Sequence, residues 1–281
     1  MPAIELFSLP VANGRELLGV VHAPEQPGPR PTVVVCHGFK GFMDWGFFPF
    51  LGELLTERGF AVIRFNFTGS GMRPGDVLVT DTEAFRRATF SQDVIDLTRV
   101  LEALGGEIGE GLVDPQRIGL FGHSRGGGIA TLAAALESWR GKIRALVTWA
   151  AVSTFDRLTL DEKEIWRRRG FVPVVNSRTG QQLAVDAMVL EDLERFRDHL
   201  DPRTAGTARR APWLILHGDQ DETVPASEAL LLAAHAAAPC QLRLIHGGDH
   251  TLGVKHPFDG PTPQLVEALN ATQEWFRNHL G

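Results

Sequence analysis

The sequence predicts the α/β class, with a mostly parallel sheet of eight strands and helices on both faces, and three observations carry that prediction. Apolar runs rich in β-branched residues recur at 32–36, 60–65, 117–121, 143–150, 212–216 and 241–245. Such continuous runs belong to strands covered on both faces. The first four are separated by segments too long for hairpins, and 85–104 has helical spacing in Phe90, Val94, Leu97, Leu101 and Leu104, so these strands are joined by parallel crossovers. The third observation is local. The run at 117–121 leads into Gly122-His123-Ser124-Arg125-Gly126 and then into an alanine-rich segment, which is the strand, turn and helix in which a G-x-S-x-G pentapeptide acquires meaning.

Taken in order, residues 4–9 and 16–22 alternate apolar and polar side chains around Asn13-Gly14, the signature of a β-hairpin and hence of an antiparallel edge. A Pro/Gly-rich connection, 24–31, precedes the strand at 32–36, which runs into His37-Gly38-Phe39. Gly38 lets the chain turn so that the Phe39 N–H faces a bound carbonyl oxygen, beside the N–H of Arg125 after the serine. The aromatic stretch with Trp45, Phe47, Phe48 and Phe50 suits either a pocket wall or core, and a helix over 48–58 stops at Gly59. The loop 66–71 is glycine-bearing but lacks the Lys-Ser/Thr ending of a P-loop, so it is expected near the mouth of the site. A single helix is expected over 85–104, with Ser91 and Asp93 solvated or capping.

After the strand at 143–150 the βα rhythm breaks. Residues 153–210 are charge-dense and amphipathic and predict a helix near 166–169, a hairpin from 171–175 and 181–185 around Asn176-Ser177-Arg178-Thr179-Gly180, and a helix over 186–200. The mixed charges read as a solvated face, and Trp166, Phe171 and Met188 as the side chains turned toward substrate. The sheet resumes at 212–216 and 241–245, and an amphipathic helix over 265–280 closes the chain.

Composition sets limits. Of 281 residues, 43% are hydrophobic and 22% charged, ordinary for a globular chain, enough for one large domain with an insertion or two small ones. A net charge of −6 argues against nucleic acid and offers no polybasic attachment to a membrane. The start Met1-Pro2-Ala3-Ile4-Glu5 lacks the pattern of a signal peptide, and the most apolar helix candidate, 126–136, is too short to cross a bilayer, so a cytoplasmic location is expected. Cys36 and Cys240 fall in apolar runs and are expected as buried free thiols; no His/Cys spacing suggests a metal.

Three strand ends supply the residue types of nucleophilic acyl transfer. Ser124 attacks, His250 accepts and returns the proton, and an aspartate after the strand at 212–216 fixes the imidazole; both Asp219 and Asp221 qualify. The chain order is Ser, Asp, His. With these motifs the chain resembles the α/β-hydrolase superfamily over nearly its full length. That family's G-x-x-D-x-x-V-P pattern is matched by Gly218-Asp219-Gln220-Asp221-Glu222-Thr223-Val224-Pro225, which selects Asp221 and leaves Asp219 in a turn. Its G-x-D-H pattern is matched by Gly247-Gly248-Asp249-His250, and the resemblance leaves His37, His123, His217 and His246 without a proton-transfer role.

Within the superfamily the chain is similar to small esterases, the cinnamoyl (feruloyl) esterase and dienelactone-hydrolase-like group, in His37-Gly38-Phe39, the 64–71 loop, Gly122-His123-Ser124-Arg125-Gly126-Gly127 and a compact insertion with a hairpin. It departs from them in having Arg125 where cinnamoyl esterases commonly have Gln, Ser124 where dienelactone hydrolases use Cys, and no tyrosine to hold a phenolic acyl group. The resemblance implies an α/β-hydrolase core of residues 1–152 and 211–281, a lid at 153–210 after the sixth strand, and hydrolysis of a small to medium carboxylic ester through an acyl-enzyme. It implies no cofactor, no metal and a small-molecule partner only. An aminopeptidase or acylaminoacyl peptidase of the prolyl-oligopeptidase type shares the residue order, and a non-enzymatic binding protein on this fold is the third reading.

Overall fold

The computed structural model describes residues 3–11, 14–176, 179–237 and 239–281. Asn13 of the predicted turn, Ser177 and Arg178 of the hairpin tip, and Met1 and Pro2 lie outside the described residues. Eight strands form the main sheet: β1 (Ala3–Pro10), β2 (Glu16–Ala23), β3 (Arg30–Cys36), β4 (Ala61–Asn66), β5 (Val113–His123), β6 (Ile143–Trp149), β9 (Trp213–Gly218) and β10 (Cys240–Ile245). Their order is β1-β2-β4-β3-β5-β6-β9-β10. β1 with β2 and β2 with β4 are antiparallel, and every other neighbouring pair is parallel. The antiparallel edge and the parallel body both follow the sequence expectation.

The unbroken apolar strands are explained by burial on two sides. In β3, Val33 and Val35 pack with Leu51 and Leu55 of α1 (Phe48–Glu57) and with Leu265, Leu269 and Phe276 of α9 (Pro263–Leu280). Val34 and Cys36 face the other way, toward Leu97 and Leu101 of α3 (Phe90–Ala103) and Ile129 and Ala133 of α4 (Arg125–Ala135). Each such aliphatic side chain removed from water contributes ~1.5–3 kcal/mol. Two buried indoles are paired across the core: Trp149 Nε1 donates to Thr272 Oγ1 at 3.0 Å and Trp213 Nε1 to Thr148 Oγ1 at 2.9 Å.

Three expectations are corrected. The helix over 85–104 is two helices, α2 (Thr82–Arg86) and α3. Thr89 ends the break by accepting from the Gln92 N–H at 3.3 Å; the Ala88 carbonyl oxygen accepts from a side chain described below, and the Thr89 carbonyl oxygen from both that side chain and the Asp93 N–H. Asp93 is buried rather than solvated, and Ser91 bonds Asp192 through both its hydroxyl and its N–H. Of the two free thiols, Cys36 is buried but Cys240 only half-buried, because β10 is the edge strand.

Between β6 and β9 the chain forms α5 (Leu160–Arg169), a two-stranded sheet of β7 (Phe171–Val175) and β8 (Gln182–Asp186), α6 (Met188–Arg195) and α7 (Pro202–Ala208). The helix, hairpin and helix were legible; α7, seven residues started by Asp201 and Pro202, was not. α5 begins with a capping box between Thr159 and Glu162 and ends at Gly170 with φ +78°. α8 (Ala226–His235) follows β9.

Candidate active site

Backbone crowding at the end of β5 sets the position of Ser124. A Cβ on Gly122 would lie 2.4 Å from the Gly126 carbonyl oxygen, and one on Gly126 2.4 Å from the carbonyl oxygens of Cys36 and His37. Both outer positions of the pentapeptide therefore admit only glycine. Between them Ser124 holds φ +56° and ψ −123°, a conformation costly for a side chain with a Cβ, and immediately precedes the first residue of α4.

Two loops at neighbouring strand ends bring up partners. His250 Nε2 lies 3.1 Å from Ser124 Oγ, and His250 Nδ1 lies 2.8 Å from Asp221 Oδ2. Asp219, the other acid left open by residue reasoning, instead accepts from the Gly247 N–H at 2.7 Å and pairs with His246 Nδ1 at 2.9 Å. Burial alone would raise the Asp221 carboxyl. Hydrogen bonds from His217, His250 and the Val224 N–H outweigh it and hold Asp221 well below the usual carboxylate range. The carboxylate is thus ionised and able to offset an imidazolium.

The other histidines are occupied. His123 Nε2 donates to the His250 carbonyl oxygen at 2.8 Å, and burial followed by repulsion from His250 lowers its pKa to about 3. It anchors the backbone of His250 as a neutral ring. His37 bridges the Gly38 carbonyl oxygen through Nδ1 at 2.9 Å and the Phe67 N–H through Nε2 at 3.2 Å; burial lowers its pKa to about 4. His217 Nε2 donates to the Val224 carbonyl oxygen at 2.7 Å behind Asp221.

Ser124 and His250 open into a cavity of about 860 Å³, in the range of small-molecule sites. Phe39 and Arg125 line it beside Ser124, and no acceptor among the described residues takes either backbone N–H. Trp45 and Phe48 line it, whereas Phe47 is core. The 153–210 segment supplies the outer wall, Trp166 included, with Trp166 Nε1 donating to the Val185 carbonyl oxygen at 3.0 Å. Phe171 and Met188 are not on the wall. Phe171 lies under the guanidinium groups of Arg86 and Arg169, and Met188 Sδ faces Arg87 Nε at 3.3 Å. On the hairpin it is Val172 and Val174 that line the cavity, and Met188 packs half-buried against the cluster that includes Trp166, which spacing alone did not reveal. No cluster of metal-ligating side chains occurs among the described residues.

Residues 33–268 match the model of the alpha/beta hydrolase family. The chain belongs to the alpha/beta hydrolase family. Over 252 residues the chain is 27% identical to the 2,6-dihydropseudooxynicotine hydrolase of Paenarthrobacter nicotinovorans, covering 87% of this chain and 60% of that one. It is 25% identical over 275 residues to esterase FrsA of Escherichia coli O81, covering 96% and 58%. The chain thus spans about 60% of the length of the curated relatives it matches. Among solved structures, Est1E from Butyrivibrio proteoclasticus with ferulic acid bound is similar at TM-score 0.71 and 21% identity, covering 96% of this chain and 98% of that one, a likeness of fold. Among the described residues, no helix is long and apolar enough to cross a membrane.

Sequence reasoning missed Asp93 and the use of the Arg125 side chain. Arg125 Nε donates to Asp93 Oδ2 at 2.7 Å, and its Nη2 donates to the carbonyl oxygens of Ala88 and Thr89, each at 3.1 Å. Burial pushes the Asp93 carboxyl above its usual range against the pull of Arg125. A signal was available in the sequence: Asp93 stands three residues after Phe90 and four before Leu97, on the apolar stripe of its helix.

Proposed function

We propose that this hydrolase is a serine carboxylic-ester hydrolase that works through an acyl-enzyme on a small to medium, largely apolar ester. The observation that carries the reading is the chain Ser124 Oγ, His250, Asp221 with steps of 3.1 and 2.8 Å, opening into an apolar-walled cavity. In the first step Ser124 Oγ bonds to the ester carbonyl carbon while its proton passes to His250 Nε2. The carbonyl oxygen becomes an oxyanion received by the N–H groups of Phe39 and Arg125. Collapse breaks the bond to the alcohol oxygen, which leaves with the proton from His250. In the second step water attacks the acyl-enzyme with His250 again as base, releasing the carboxylic acid and restoring Ser124. Asp221 holds the imidazole tautomer and offsets its charge. No residue in this sequence of steps calls for a cofactor.

The name of the FrsA relative and the ferulic acid in a structure of like fold support an ester substrate. We read 153–210 as the lid that gives the pocket its shape, since it supplies the outer wall. The test is the initial rate on short- and long-acyl nitrophenyl esters, methyl hydroxycinnamates and aminoacyl anilides, for the wild-type chain and Ser124→Ala. Ester turnover lost in the variant supports the reading. Turnover of anilides alone makes the protein a peptidase, and no turnover with no labelling of Ser124 by a phosphonate makes it a binding protein.

A further inference from the structure

The two N–H groups assigned to the oxyanion come from segments far apart in sequence, the loop after β3 and the start of α4. Their usefulness depends on the distance and angle between them. Phe39 is 40% exposed, so burial does not fix it, and its ring rests on Phe85 with centroids 5.4 Å apart. One side chain touches both segments. The Arg125 guanidinium carbon lies 5.8 Å from the Phe39 ring centroid and 4.2 Å from that of Phe90, within cation–π range of both rings. Its donors are turned the other way, to Asp93 and to the carbonyl oxygens in the break between α2 and α3. Arg125 and Asp93 side chains are only 12% and 6% exposed.

This is more than a buried ion pair needs in order to be satisfied. A planar guanidinium is able to bond along its edge and stack on its faces at the same time, which an ammonium cannot do. The edge ties the first residue of α4 to the start of α3; the face steadies the ring of the loop that carries the other N–H. We propose that Asp93 and the Arg125 side chain are a positioning pair that sets the spacing of the two oxyanion donors, Phe39 N–H and Arg125 N–H. The proposal rests on the esterase reading for its chemistry, and adds to it two side chains that take no part in the proton transfers.

Donors aimed at an oxyanion act in the transition state and hardly at all in the ground state, so misplacing them lowers kcat and spares KM. Removal of a whole donor costs about 10²–10³ in kcat. For Asp93→Asn and Arg125→Gln, which free the guanidinium or delete it, we expect kcat on nitrophenyl butyrate to fall about 10–100-fold with KM within about threefold. The affinity of an aryl trifluoromethyl ketone, which forms a tetrahedral adduct on the serine, falls by the same factor as kcat/KM. Arg125→Lys, which keeps charge but not the planar fork, recovers at most a small part of the loss.

Phe39→Leu leaves the ion pair untouched at an exposed position and guards against variants that fail to fold. Its kcat and its ketone affinity are expected to fall together, about 3–10-fold, a fraction of the cost of losing a donor. A direct readout completes the test: the backbone 15N order parameter of Phe39, expected to drop from a rigid value near about 0.85 to below about 0.6 in Asp93→Asn. Folded Asp93→Asn and Phe39→Leu with kcat within about twofold of wild type, ketone affinity that does not follow kcat/KM, or an unchanged Phe39 order parameter overturns the proposal. Failure of the wild-type chain to hydrolyse any ester rejects the esterase reading separately, because the order parameter judges the positioning pair without turnover.

Discussion

At the floor of the cavity, Ser124, Asp221 and His250 stand just beyond the ends of three strands of one sheet. The outer wall is a short helix and a separate two-stranded sheet. The floor is held largely by backbone: Gly126 packs against two carbonyl oxygens and Gly218 would place a Cβ 2.1 Å from the Gly248 oxygen. The wall is held by side chains, through the Trp166 indole on Val185, the Gln181 amide on both polar groups of Val79, and exposed ion pairs such as Arg168 with Glu164. Backbone contacts tolerate no substitution, whereas side-chain contacts can be exchanged for others. The difference separates a part of the molecule that must keep its chemistry from a part able to change what it admits.

The largest expected effects lie on the floor and discriminate between neighbouring acids. Asp221→Asn should lower kcat by about ten-thousand-fold, since an imidazole without its carboxylate takes the wrong tautomer. Asp219→Asn, two residues away, should stay within about threefold on the same nitrophenyl ester, because its partners are His246 and a loop N–H. Equal losses would break the assignment. Asp221 also carries a stability signature. Its folded carboxyl remains ionised to lower pH than in the unfolded chain, so it contributes stability that is present above about pH 4 and lost as pH falls through the folded value. The gap in urea midpoint between wild type and Asp221→Asn should accordingly narrow below about pH 4.

Next comes packing. Gly126→Ala pushes a methyl group into two carbonyl oxygens and should cost about 3 kcal/mol or more. Gly170→Ala on the wall meets nothing within 4 Å and bears only the strain of φ +78°, about 1 kcal/mol. Thermal midpoints of the two variants compare floor and wall directly, and a Gly170 variant as damaging as the Gly126 one would remove the distinction.

What could be read from sequence follows the same division. Gly122, Ser124, Gly126 and the order Ser, Asp, His are local patterns, because the turn that raises Ser124 is built from five consecutive residues. Asp221 against Asp219 was not decided by residue chemistry, since both follow the same strand; the family pattern was required, and the 2.8 Å contact to His250 agrees with it. The split of 85–104 into α2 and α3 was hidden because the side chain that bonds the Ala88 carbonyl oxygen in the break, Arg125, lies more than thirty residues away. Phe171 and Met188 were misplaced for a related reason: which face of a short hairpin looks inward depends on its docking. Trp166, the bulkiest of the three, found the cavity because the wall has few other ways to bury an indole.

Trp166→Ala probes the wall itself. Its loss enlarges the cavity and removes the tie to Val185, so KM for a long-acyl ester should rise about tenfold while kcat on a short one changes less than about threefold. If kcat on short esters fell as far, the wall would be part of the catalytic scaffold.

The smallest expected effect tests how the two regions are joined. Arg157, just before α5, reaches down to the Thr223 carbonyl oxygen at 3.0 Å and to Glu228 at 3.2 Å, and Glu228 also accepts from the Ser153 N–H at 2.7 Å. Thr223 donates its own N–H to Asp221, so Arg157 is two contacts from Asp221. With 34% of its side chain exposed, the Arg157 pair is worth only about 0.5 kcal/mol after solvent screening. Arg157→Gln should therefore lower the thermal midpoint by about 1–2 °C and leave kcat within about twofold. A tenfold loss of kcat would show that the acid loop takes its position from the wall, and floor and wall would then have to be treated as one unit.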